Sequence, residues 1–235
     1  MIGKVTLLGA GPGDLDLLTL KAVKVLATSD VLLLDELVNT QIVEFAPNAR
    51  VIRVGKRGGY RSTPQNFIEK LMYRYAKRGA HVVRVKGGDV LLFGRAGEEL
   101  EKLRDSAIQV DIVNGISSGF AAAASLGTVL THRNHCAGVT FVTAHLHDHS
   151  EPDWSTLAET GTTLVIYMGM SRIDRITNGL LAVLPMSTPA AAVQWASLPT
   201  ERRWIGTLSH LALGVVEAGL GSPAIILVGE AIRRI

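Results

Sequence analysis

At 235 residues, 47% hydrophobic and 5% aromatic, with one cysteine, the chain can bury one large core or two small ones and is neither a disordered tail nor a disulfide scaffold; Cys136 fits a reducing compartment. The net charge of +3 comes with no aromatic-interleaved basic stripe, so nucleic acid is not expected as a partner. Mean hydropathy is +0.27, yet no run approaches the roughly 18 apolar residues of a membrane span, and Gly3, Gly9, Pro12, Asp14 and Asp16 interrupt the N-terminus where a secretory leader would be unbroken. A soluble cytoplasmic protein with no membrane partner is expected.

KVTLLG (4–9) reads as a strand and runs into glycines 9, 11 and 13 on alternate positions. Leu17, Leu20, Val23 and Ala27 then recur at helical spacing, which predicts a helix over 16–29 with Asp16 as its N-cap. VLLL (31–34) and VIRVG (51–55) read as strands. The spacing predicts a helix over 62–79, with Thr63 as N-cap, Pro64 in the first turn and Gly79 past the end. HVVRVKG (81–87) reads as a strand, AGEELEKLRDS (96–106) as a helix and QVDIV (109–113) as a strand. Strands separated by helices of this length predict a mostly parallel sheet with helices on its faces. The rhythm restarts after NGISSGFAAAASLG, with strands predicted at 138–144, 162–169, 189–196, 202–207 and 223–229. The last three lie close together, with Pro185 and Pro199 between or beside them, which predicts a mixed or antiparallel second sheet. The fold class expected is α/β, two α/β domains (1–115 and 116–235) with a ligand cleft between them.

The opening glycines leave three readings open. A dinucleotide fingerprint needs glycine where Asp14 stands. The ordinary methyltransferase loop has an acidic residue two before the first glycine, where this chain has Leu7. A plain strand-to-helix turn needs neither. Asp35, directly after VLLL, stands where nucleotide folds keep a ribose-binding acid, so a Rossmann-type nucleotide-binding oxidoreductase remains a rival. The cations are more informative: RVGKRGGYR (53–61) and RVKGGD (84–89) each end an apolar run, where they can meet a small polyanion at a sheet edge.

The later stretches decide between these. GAGPGDLDLLTLKA (9–22), VVRVKGGDVLLFGRAGEEL (82–100), LTHR (130–133), TLVIYMG (163–169), MSTPAAAVQWAS (186–197) and SPAIILVGE (222–230), in this order and spacing, closely resemble the tetrapyrrole methylase family, the class III methyltransferases. The resemblance covers essentially the whole chain. It implies S-adenosyl-L-methionine as methyl donor, S-adenosyl-L-homocysteine as its product, and a homodimer. Within the family, GKRGG (55–59) and FGRAGEE (93–99) point to methylation of uroporphyrinogen III at C2 and then C7, giving precorrin-2 by way of precorrin-1. The alternative inside the family is another precorrin C-methyltransferase of the cobalamin pathway.

Carried over by motif, the resemblance implies donor contacts at Pro12, Gly87, Gly88, Asp89, Leu92, Ser117, Ser118, Met168, Ala196 and Ala224. Gly87 and Gly88 would let backbone approach a ligand and expose N–H groups, and Asp89 would take an ammonium or hydroxyl. Asp35 matches a proton acceptor and Lys56 a proton donor. Asp35 stands at a strand end, where a carboxylate is partly desolvated; the competing reading is a structural or substrate-bonding carboxylate. The substrate is a polycarboxylate, so Arg53, Arg57, Arg61, Arg95 and Arg133 are clamp candidates, with His132 facing the substrate.

The tract HRNHCAGVTFVTAHLHDH (132–149) invites a metal reading through His145, His147, Asp148 and His149. A loop after VTFVTA is the simpler account, and no metal is expected. The chain departs from the family at Val90-Leu91, where Pro-Phe is usual, at NGIS (114–117) for Pro-Gly-Ile-Thr, and at WAS (195–197) for Asn-Gly-Thr or Trp-Gly-Thr. Ser117 keeps a hydroxyl and Ala196 stays small, which is compatible with donor binding.

Overall fold

The computed structural model describes residues 2–55, 63–146 and 150–233, and the chain divides into two units, Met1–Ser117 and Ser118–Ile235. The first unit holds β1 (Lys4–Gly9), β2 (Val31–Leu34), β3 (Arg50–Arg53), β4 (His81–Lys86) and β5 (Gln109–Val113). They pair in the order β3-β2-β4-β1-β5, all parallel. A parallel sheet covered on both faces needs apolar side chains on both, which is why VLLL of β2 is buried at every position. One face, with Val5, Leu7, Leu33 and Val82, packs on α2 (Gln65–Lys77) and α3 (Ala96–Asp105) through Ile68, Met72 and Leu103. The other, with Leu8, Leu32, Leu34, Val83 and Val85, packs on α1 (Leu20–Ala27) and the 3₁₀ segment Thr40–Phe45 through Ala22, Leu26 and Ile42.

Two predicted caps move. The carboxylate of Asp14, not Asp16, accepts the first turn's N–H, and it opens a 3₁₀ turn at Leu15–Leu17. Leu17 therefore lies outside α1, which starts at Leu20 with the Thr19 hydroxyl accepting from the Ala22 N–H at 3.1 Å. At α2 the N-cap position is Pro64, which has no side-chain cap, and Thr63 instead donates to the Gly55 carbonyl at 3.4 Å. Gly79 follows α2 as expected, at φ +90°, its N–H on the Ala76 carbonyl at 3.0 Å.

The second unit holds α4 (Ser118–Leu126), β6 (Val139–Thr143), α5 (Trp154–Glu159), β7 (Thr163–Tyr167), α6 (Ile173–Leu181), β8 (Pro189–Gln194), β9 (Arg202–Thr207), α7 (Leu211–Glu217) and β10 (Ala224–Val228). The strand order is β6-β7-β10-β8-β9; β6 and β7 are parallel and the other pairs antiparallel, so the sheet is mixed, as expected. Leu164, Ile166, Ala192 and Ile226 face α5, α6 and α7. Val165, Val193, Ile225 and Leu227 face α4, through Ala121, Ala122 and Ala123. The small residues of α4 let it lie close: a Cβ on Gly119 would come within 2.6 Å of the Val165 side chain and the Tyr167 hydroxyl. No described helix is long and apolar enough to cross a membrane.

Candidate active site

In the first unit, β1, β4 and β5 end at one edge of a parallel sheet, the usual place for a ligand in such sheets. Their exit loops interlock through glycines. Gly11 and Gly88 exchange both backbone hydrogen bonds, at 3.1 and 2.7 Å, and the Ala10 N–H reaches the Lys86 carbonyl at 2.8 Å. A Cβ on Gly9 would lie 2.6 Å from the Gly115 nitrogen and 2.7 Å from the Gly88 oxygen. This brings Pro12 into the same group of loops as Gly87, Gly88 and Asp89. Gly88 uses its N–H and carbonyl within the protein, so it offers no exposed N–H; Gly87 is the exposed glycine of the pair. Asp89 is also engaged: Oδ1 accepts from the Leu91 N–H at 2.8 Å, and Oδ2 accepts from the Gly115 N–H at 3.0 Å and Asn114 Nδ2 at 3.2 Å. It fastens the β4 exit to the β5 exit. Leu92 is half-buried beyond it, Val90 is fully buried in the core, and Ser117 is buried at the end of the unit.

Asp35 follows β2, and its side chain is 38% exposed. Oδ1 accepts from the Glu36 N–H at 3.1 Å and Oδ2 from Arg84 Nη2 at 3.0 Å. Arg84 and Lys86 alternate with Val85 along β4 and so share the face covered by α2 and α3. There Glu99, fully buried on α3, gathers on Oε1 the Arg84 Nε at 3.3 Å, the Lys86 ammonium at 3.0 Å and the Gln65 amide at 2.9 Å. Burial, together with the Arg84 charge, lowers the Lys86 pKa below the usual lysine range, opposed by Glu99. The cations of RVKGGD therefore do not face a ligand; both are buried and paired inside the unit.

The other substrate candidates are dispersed. Arg53, the last residue of β3, is exposed, and the register Leu34↔Arg53 places it beside the strand end that carries Asp35. Arg95, at φ +57°, grips Glu98 with Nε at 2.8 Å and Nη2 at 2.5 Å, both side chains about half exposed. Lys56, Arg57 and Arg61 lie outside the described residues.

In the second unit, β10 runs antiparallel to β7 and β8, so the start of β10 meets the ends of both, with Ile225 opposite Tyr167 and Ala224 opposite Gln194. Met168, Ala196 and Ala224 accordingly share one sheet edge. Met168, Trp195 and Ser197 there have φ of +57°, +53° and +71°, a backbone region that non-glycine residues seldom adopt and that clusters at ligand sites. Met168 is 48% exposed, while Ala196 and Ala224 are nearly buried. Ser118 begins α4, whose Gly119 N–H donates to the Tyr167 hydroxyl at 2.9 Å. His132 and Arg133 are elsewhere. Their exposed turn is closed by mutual backbone bonds of His132 and Cys136 at 2.8 Å, and Cys136 Sγ accepts from the Thr163 N–H, at the opposite end of β7 from Met168. The five residue steps from Thr163 to Met168 span roughly 16 Å. His147, Asp148 and His149 lie outside the described residues, and His145 Nε2 is 3.4 Å from the Ser171 hydroxyl.

Arg84, Lys86, Glu99 and Gln65 are the site neighbours not anticipated from sequence. A signal was present: cations two apart on an inner parallel strand must meet an acid from the covering helix.

Residues 4–212 match the family model described as Tetrapyrrole (Corrin/Porphyrin) Methylases. A uroporphyrinogen-III C-methyltransferase of Pseudomonas aeruginosa is 51% identical over 236 residues, covering 100% of this chain and 96% of that protein. The solved uroporphyrin-III C-methyl transferase of Thermus thermophilus, complexed with S-adenyl homocysteine, has a TM-score of 0.85 at 37% identity, covering 98% of this chain and 94% of that one. A cobalt precorrin-4 methyltransferase has a TM-score of 0.88 at 26% identity, covering 98% and 96%.

Proposed function

The chain belongs to the tetrapyrrole (corrin/porphyrin) methylase family, and on that premise we propose that it methylates uroporphyrinogen III at C2 and then C7, giving precorrin-2 by way of precorrin-1, with S-adenosyl-L-methionine as donor. The observation that carries this reading is 51% identity along the whole chain to a relative named for that reaction. When bound, the donor supplies a methyl group already activated on a sulfonium sulfur. The reduced pyrrole carbon is itself electron-rich, so the chain's work is alignment, stabilisation of charge and removal of a proton.

Asp35 takes the proton: it is the partly exposed end of an otherwise buried charge network, with one oxygen fixed by Arg84 and the other by a backbone N–H. Lys56 acts as proton donor. The residues present fit the donor. Gly87 is exposed and carries no side chain, and Met168, Ala196 and Ala224 share an edge where the backbone at Met168 and Trp195 has turned out of the strand ladder. The donor contacts we propose are those implied by the family motifs: Pro12, Gly87, Gly88, Asp89, Leu92, Ser117, Ser118, Met168, Ala196 and Ala224. Gly88 and Asp89 contribute by fixing loop shape, because their polar atoms are engaged within the protein. Arg53, Arg57 and Arg61 clamp substrate carboxylates and Arg95 exchanges Glu98 for one; His132 and Arg133, on the turn at the far end of β7 from Met168, are left out of the set. The working form is a homodimer, which light scattering on the purified protein tests, and it works in the cytoplasm, which cell fractionation tests.

Incubation of uroporphyrinogen III with methyl-labelled donor, followed by mass spectrometry, tests the reaction. Two labels per product are expected. No label on uroporphyrinogen III with label on a later precorrin would assign the chain to another step of the family.

A further inference from the structure

The geometry points to Arg84 as a positioning residue that holds the Asp35 carboxylate in its working orientation, with Glu99 as the anchor that holds Arg84. The inference rests on the reading of Asp35 as proton acceptor. Arg84 is 2% exposed, so it does not reach out to a substrate carboxylate. Its planar fork is fixed at three places: Nε on Glu99 of α3, and Nη1 on the Leu33 carbonyl of β2 at 3.4 Å and the Val85 carbonyl of β4 at 3.3 Å. The remaining arm, Nη2, reaches Asp35, which at 38% is the exposed one among the four charged members of the described network. Two adjacent strands and a helix thus determine where one carboxylate oxygen sits.

Stability is a poor account of this network. Buried ion pairs seldom outperform an apolar filling of the same volume, because each charge loses its hydration. What the network adds is a fixed direction for Asp35, whose other anchor, the Glu36 N–H, belongs to the next residue and follows any local movement. Glu99 in turn is shared by Arg84, Lys86 and Gln65, which fixes it from β4 and α2 together. A primary amine at position 84 has neither the planar fork nor the reach to span these acceptors.

A double-mutant cycle of Arg84→Lys and Asp35→Asn tests this, measuring kcat, substrate KM, donor Kd by calorimetry and the melting temperature. Asp35→Asn alone is expected to lower kcat about a hundredfold or more. Arg84→Lys is expected to lower kcat by roughly ten- to a hundredfold, since misplacement of a reacting group by an ångström costs that much. Donor Kd should change by less than about twofold, and in the Asp35→Asn background Arg84→Lys should lower kcat by less than about twofold further. Independent, multiplicative losses would overturn the positioning role while leaving Asp35 as acceptor. An Asp35→Asn variant with parental kcat would overturn the acceptor reading and this inference with it. If Arg84→Lys does not fold, Glu99→Gln in the parent and in the Asp35→Asn background applies the same test, because it loosens the anchor of Arg84 without touching Asp35. A folded Glu99→Gln enzyme with parental kcat overturns the inference, and a loss of kcat that disappears in the Asp35→Asn background supports it.

Discussion

Gly9→Ala is the sharpest probe of the interlocked loops. The methyl group would lie 2.6 Å from the Gly115 nitrogen, 2.7 Å from the Gly88 oxygen and 2.9 Å from the Gly115 Cα. All three are backbone atoms, and the nearer two stand roughly 0.7–0.8 Å inside the 3.4 Å at which ordinary contact begins. No side chain can swing away, so the exits of β4 and β5 must separate from β1, straining the Gly11–Gly88 bridge and the Asp89–Gly115 bond. Overpacking of this kind destabilises by about 1–3 kcal/mol. The displaced loops carry Pro12, Gly87 and Asp89, so donor affinity should fall with stability. Gly97→Ala is the control: it lies within α3, has open space around its Cβ site, and should stabilise by about 0.5–1 kcal/mol. Urea denaturation gives the stabilities and calorimetry the donor Kd. A Gly9→Ala variant with parental stability and parental Kd would refute the interlock.

Arg53→Ala and Arg95→Ala are expected to raise substrate KM severalfold with little change in donor Kd; unchanged KM in both would remove the described part of the carboxylate clamp. His81 is held below its ordinary pKa of 6.5 chiefly by burial. Its Nδ1 donates to the Thr28 carbonyl at 3.2 Å, leaving Nε2 to accept from the Thr6 hydroxyl at 2.9 Å. The unfolded chain therefore takes up the proton first as pH falls past 6.5, and the stability present above that value is lost below it. The melting temperature should drop more steeply between about pH 8 and pH 5 in the parent than in His81→Gln, and equal slopes would refute the assignment. At the same end of the sheet, the Lys4 hydrogen bond holds Asp111 below its ordinary 3.8. The parent's advantage over Lys4→Met should thus be present at neutral pH and fade as pH falls from 3.8 through the lower folded value. With both side chains 39% exposed, that advantage stays below about 1 kcal/mol and shrinks in salt; persistence in high salt would refute it.

The strands were legible because inner strands covered by helices on both faces must be apolar on both, and runs such as VLLL and PAIILVG show it directly. α4 was not, because Ala, Gly and Ser carry almost no amphipathic period; its small residues answer to closeness to the sheet, not to burial of one stripe. Asp16 failed as a cap because Asp14, two residues earlier, offers its carboxylate to a shorter turn. At the site, Asp35 and the KGGD loop could be found from position and composition. The partners of Asp89 and Gly88 could not, since Asn114, Gly115 and Gly11 meet them only when β1, β4 and β5 lie side by side; for Arg84 the pattern calls for an acid from a covering helix without saying that Glu99 of α3 supplies it.

The strand order has a consequence for synthesis. β1 pairs with β4 and β5, Lys4 facing His81 on one side and Gln109 on the other, so during synthesis β1 has no partner until β4 has been made. Until then VTLL is an exposed apolar segment with unmet backbone groups, the kind of sequence that aggregates or engages chaperones. In the second unit, β8, β9 and β10 follow one another closely in the chain and pair together. Loop closure is shorter there, so this half has the smaller entropic barrier to forming its sheet. The opening glycines therefore face a kinetic demand as well: they must stay free of wrong contacts until the backbone they were shaped to meet has been made.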